Sequence, residues 1–70
     1  MDKFYVNKSN YGNPNNDHEV HRESCKWLPA ASNRIYLGVF SRSADAVKAA
    51  KLYYSKVDGC YHCCPESHHG

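Results

Sequence analysis

Cys60-Tyr61-His62-Cys63-Cys64-Pro65 is the stretch on which the fold turns. Cys60 and Cys63 are separated by two residues, a spacing that lets two thiolates approach one ion from adjacent corners of a tetrahedron. The turn between them also aims backbone N–H groups at the sulfurs, which favours their charged form. Far upstream, His21 and Cys25 lie four positions apart and form a second candidate pair. Two distant pairs drawn together by a compact chain make a closed site with no open corner, the arrangement of a structural zinc ion. Thiolate and imidazole donors favour Zn2+ over the hard cations calcium and magnesium. The predicted metal ligands are therefore His21, Cys25, Cys60 and Cys63.

Alternatives exist on each side of the site. His18 competes with His21, although three strand positions separate the two and a regular strand sends them to opposite faces. Cys64 could replace Cys63, at the loss of the tight two-residue spacing. A disulfide from Cys25 to Cys60 or Cys63, or plain buried thiols, would account for the same cysteines without metal.

Length makes a cross-link expected. A 70-residue chain forms one domain, residues 1–70, with a small core. Such a core rarely supplies more than about 3–5 kcal/mol. Six of its apolar residues are tyrosines, whose hydroxyls need partners or water. A structural zinc ion contributes about 10–16 kcal/mol of apparent binding free energy in small zinc peptides. On that scale the ion decides whether the chain folds.

Between the ligand pairs the chain reads as strand then helix. Phe4, Tyr5 and Val6 suit a first strand over Lys3–Asn7. Residues 8–17 are Asn-rich, with Gly12 and Pro14, and predict a flexible loop. His18–His21 is expected to pair with the first strand. Cys25–Pro29 reads as a turn and 30–33 as a loop. Arg34–Phe40 is the clearest strand: apolar groups on both faces predict a central position, and Gly38 marks a bulge or close approach. Ser41 or Ser43 is expected to cap the helix that follows. Ala46, Val47, Ala50, Tyr53, Tyr54 and Val57 are its apolar face, and Asp58-Gly59 its stop. Residues 66–70 are expected to fray. The predicted fold class is α+β: a two- or three-stranded antiparallel sheet packed on one helix and tied by zinc.

Composition excludes several functions. A net charge of +2 is not the strongly basic balance of a dedicated nucleic-acid binder. No apolar run reaches the roughly 18–20 residues of a spanning helix, and Met1–Asn7 lacks the apolar segment of a secretion signal. The expected compartment is therefore cytoplasmic and reducing, which favours metal over disulfide. His18-Glu19-Val20-His21 is one residue short of the metalloprotease His-Glu-x-x-His. Cys64 with a tail histidine has nothing to orient the base of a nucleophile pair. Trp27, the tyrosines, Lys26, Arg34 and Arg42 fit a core and a solvated surface more simply than a base-stacking or phosphate-binding face.

The order His21-x-x-x-Cys25, Val39-Phe40-Ser41, Asp45-Ala46-Val47-Lys48-Ala49-Ala50 and Cys60-x-x-Cys63-Cys64-Pro65 resembles the zinc-binding domain of the Ada DNA-repair family. The likeness spans roughly residues 20–65 and rests on the ligand spacing and terminal proline. It implies a zinc fold and, by analogy, contact with the DNA backbone. That family moves a methyl group onto its first zinc cysteine, and here His21 stands at the acceptor position. Val57-Asp58-Gly59 also replaces the family's basic lead into the second pair. The resemblance therefore carries the fold but not the methyl-acceptor chemistry. The expectation is a non-enzymatic binding or adaptor module, with a protein partner preferred, the DNA backbone as alternative and a zinc-thiolate methyl acceptor, disfavoured by His21, as the third reading.

Overall fold

A computed structural model of the chain describes residues 1–13 and 15–69; Pro14 of the Asn-rich loop and Gly70 of the expected frayed end lie outside the described residues. The strands are β1 (Asp2–Asn7), β2 (His18–Arg22), β3 (Arg34–Phe40) and β4 (Val57–Gly59), with helix α1 (Ser43–Ala50) between β3 and β4. Short 3-10 turns occupy Ala31–Asn33 and Pro65–Ser67.

Alternation builds the sheet. Phe4 and Val6 of β1 and Val20 of β2 are fully buried on the helix side. Their strands pair antiparallel with Val6 opposite Val20 and Tyr5 opposite His21. On its other edge β1 pairs antiparallel with β3. Gly38 is a bulge, as its sequence context predicts. Phe4 faces Gly38 while Tyr5 faces Tyr36, which leaves Leu37 as the extra residue. Gly38 adopts φ of 124°, open to glycine and costly for other residues. The bulge changes the phase of β3, so Leu37 and Phe40 both pack on the core and Val39 is exposed.

The expectations for the sheet, for β3 and for the helix end are corrected. The sheet is four-stranded and mixed, order β3-β1-β2-β4, rather than two- or three-stranded and antiparallel. The added strand is Val57-Asp58-Gly59, which pairs parallel with β2. A three-residue strand is too short to show a period of its own, and its pairing comes from tertiary placement. β3 is an edge strand and not the central one. Its second apolar face stays open, with Tyr36 51% and Val39 45% exposed. The helix, finally, stops at Ala50, well before Asp58-Gly59. Its last turn tightens to three-residue bonds, Leu52 N–H to Ala49 O and Tyr53 N–H to Ala50 O. Beyond it Tyr54 stacks on His18, ring centroids 3.7 Å apart, and the chain turns into β4.

Neither serine caps α1 by its side chain. Arg42 is the N-cap residue, and Ser43, the first helical residue, is buried. The Ser43 hydroxyl instead joins Glu66 and Ser67, 2.6 Å from the Ser67 oxygen. Ala46 and Ala50 carry the helix into the core beside Cys64. The expected frayed end is packed over 66–69. Ser67 is buried, His68 Nδ1–H donates to Gly59 O at 3.0 Å, and the His69 N–H reaches the Asp58 carboxylate at 2.9 Å. Backbone donors buried near a partner are seldom left unpaired, and here a buried aspartate supplies the acceptor.

Candidate metal centre

β2 alternation aims Val20 into the core and His21 to the opposite face, where His21 is 1% exposed. Cys25 follows through a turn closed by its N–H to Arg22 O at 3.0 Å, and Leu28 N–H to Cys25 O closes the next turn. The parallel register sets Val20 against Gly59. Cys60, the next residue, continues that ladder with its N–H on Val20 O at 2.9 Å, which lands it beside His21. A helical turn, Cys64 N–H to Cys60 O at 2.8 Å, then folds Cys63 back towards the same point. Thus β4, the strand missed by sequence reading, is what joins the two ligand pairs.

One ligand atom from each of His21, Cys25, Cys60 and Cys63 lies within 4.8 Å of all the others. The sulfurs of Cys25 and Cys60 are 4.0 Å apart. Thiolates held at 2.3 Å by one tetrahedral ion are about 3.8 Å apart, so this separation fits shared ligation. It is far from a disulfide of about 2.05 Å, and all four cysteines are free thiols.

Electrostatics in the cluster point the same way. His21 Nδ1 is buried and has no hydrogen-bond partner among the described residues. Burial lowers the His21 pKa from 6.5 to about 4, so the ring is neutral at physiological pH and offers a lone pair. Burial pushes the Cys60 thiol up to about 12 and raises Cys25. Cys63 rises through its hydrogen bond with Cys64 first and burial second. Backbone N–H groups oppose these shifts: His62 and Cys63 on Cys60, Trp27 on Cys25 at 3.4 Å, and Arg22 on Cys63 at 3.3 Å. N–H groups gathered on sulfurs suit thiolates, and crowded buried thiolates need a cation. The donor set fits a divalent metal closed on all four corners.

The remaining candidates lie outside the cluster. His18 Nδ1–H donates to Asn7 O at 3.0 Å. His18 and His21 share a strand, not a helix, so the resemblance to a metalloprotease motif has no geometry behind it. Cys64 is fully buried in the core, its sulfur 3.6 Å from that of Cys63. His62 sits on the rim, 5.5 Å from the Trp27 ring.

Two supporting residues were not foreseen. Arg22 donates through Nε to Cys63 O at 2.8 Å and forks to Asp2 at 3.0 Å and Glu66 at 2.9 Å. Nothing in the sequence marks that clamp, because its partners are remote. Glu19 places a carboxylate oxygen 3.7 Å from His21 Nε2. Its position two residues before His21 was a readable signal, since alternate residues share a strand face. No protein-family profile, curated protein or solved structure matches this chain.

Proposed function

We propose that His21, Cys25, Cys60 and Cys63 hold one structural zinc ion, and that the domain is a non-enzymatic binding module for a protein partner. The observation that carries the metal reading is the partnerless, buried Nδ1 of His21 within a cluster of three thiols. A bound ion supplies positive charge to three thiolates and takes the imidazole lone pair. The chain's own groups orient the donors: Arg22 holds Cys63, the β2–β4 ladder holds Cys60, and Glu19 stands beside the other nitrogen of His21. The likeness of the ligand order to Ada zinc domains supports the same reading. A closed set leaves no corner for substrate, and His21 in place of a first cysteine removes the thiolate that methyl transfer uses. Three reduced thiols in one site suit a reducing, cytoplasmic setting. No helix among the described residues is long and apolar enough to cross a membrane.

Native mass spectrometry tests the metal. One zinc per chain is expected, lost in Cys60→Ser. A wild-type chain that carries no metal and keeps its fold in chelator would overturn it. Titration with duplex DNA over a range of salt tests the partner class. Binding that weakens steeply with salt would favour the DNA-backbone alternative over a protein partner.

A further inference from the structure

A cleft of about 340 Å³ is lined by Trp27, Tyr61 and His62, by Glu19 and Asn7, and by the ligand residues His21 and Cys60. Its size is that of a pocket for a small group or a single side chain. Trp27 is 55% and Tyr61 65% exposed, so both rings are available. His62 sits between them, 5.5 Å from Trp27 and 5.4 Å from Tyr61. Asn7 and Glu19 also line an adjoining polar groove of about 90 Å³, which adds Asp17 and the amides of Asn10 and Asn13. The two clefts therefore run together. Among the described residues no Lys or Arg lines either one, although the chain carries nine. Carboxylates and amide oxygens at one end and aromatic faces at the other complement a cation. Three thiolates around one divalent ion would add a net negative charge behind Cys60.

We propose that this groove receives a lysine side chain of the partner protein, its ammonium against the Trp27 ring and paired with Glu19. This rests on the reading of the domain as a protein-binding module. The Trp27 ring already meets a cation in the fold: Lys26 Nζ lies 5.6 Å from its centroid. Lys26 lines a neighbouring cleft with Ser24, Cys25, His62 and Cys63, and does not line the one that holds Glu19. Phosphate is disfavoured there, because Asp17 and Glu19 would repel it.

The test uses the full chain and the fluorescence of Trp27, the one tryptophan. Zinc content is read in the same sample by native mass spectrometry, so a missing metal and a missing ligand are separate results. Four probes are compared: a short peptide with a central lysine, the same peptide with trimethyl-lysine, the same with neutral norleucine, and an oligothymidine strand. Saturable quenching by the two cationic peptides, and not by the others, is expected. Trp27→Leu, followed by calorimetry, should weaken lysine-peptide binding about tenfold and Glu19→Gln about fivefold. Lys26→Gln should strengthen it about twofold by removing a competing cation. A flat titration with folded chain, equal binding of norleucine peptide, or tighter binding of the oligonucleotide would each overturn the proposal.

Discussion

The β1–β2 arm and the arm from Val57 to His69 are held by different means. In the first, strands adjacent in sequence pair antiparallel and bury Val6 against Val20. Its register is set by alternation, since a slip of one residue would send that pair to the wrong face. In the second, a three-residue strand pairs parallel with β2 across the whole intervening chain. The arm's apolar burial is limited to Cys64 in the core, with Val57 and Cys63 against it. Hydrogen bonds hold it: Cys60 to Val20, Arg22 to Cys63, His69 to Asp58. Closing so long a loop carries an entropic cost that a few such bonds offset poorly. The comparison teaches where the clamp matters, because the proposed ion joins the weakly held arm to the self-specified one.

The largest expected effect comes from breaking that joint. Cys60→Ser should abolish zinc binding and cooperative unfolding, since the core alone rarely supplies more than about 3–5 kcal/mol. Partial chelation of the wild type should sharpen the contrast. Hydrogen exchange should speed first at Cys60, Cys64 and Ser67 and later in β1. Simultaneous loss of protection in both arms would remove the distinction between them.

Acid comes next. His21 sits at about 4 against an ordinary 6.5, because burial disfavours the imidazolium. Its folded-state value is depressed, so the unfolded chain binds the proton first. In the metal-free fold the stability it confers is present above about pH 6.5 and is lost as pH falls towards about 4. Proton competition for the thiolates acts in the same direction. Urea unfolding of the zinc-loaded chain should show a lower midpoint at about pH 5 than at about pH 7.5. An unchanged or higher midpoint in acid would contradict the assignment of a buried neutral imidazole.

Gly59→Ala strikes the second arm by sterics. An added Cβ would stand 2.8 Å from Ser67 Cβ and 2.9 Å from Cys64 O, both on the turn that packs over β4. Overpacking of this kind costs about 1–3 kcal/mol, to be read as a fall in Tm. A neutral result would mean that the Pro65–Ser67 turn yields freely. The smallest effect is expected at the link between the arms. Arg22→Met removes the guanidinium that lies over Phe4, donates to Cys63 O and pairs with Asp2 and Glu66. Zinc affinity should fall about 10-fold, the low end for residues that orient a ligand, as measured by chelator competition. Stability at saturating zinc should change by less than about 1 kcal/mol, because the ion pairs are partly exposed.

Legibility follows the same division. The strands around Phe4 and Ile35 and the bulge at Gly38 were readable because alternation and glycine act locally. So were the residues at the site, because Cys-x-x-Cys spacing is a local property of a turn. The edge position of β3 was not, since apolar groups on both faces do not say which neighbour covers them. The roles of Ser43 and Arg22 were hidden for a related reason: their partners at Glu66 and Cys63 are distant in sequence.

By itself, then, the chain determined its first three strands, the presence of one helix and the four residues able to share an ion, because dihedral preference and donor chemistry belong to single residues and short spacings. Only the tertiary structure decided that Val57–Gly59 would add in parallel to β2, and hence that Cys60 would arrive beside His21. Parallel pairing has no local turn to announce it; it forms where a long crossover happens to return, and its register is known only once both strands are in place.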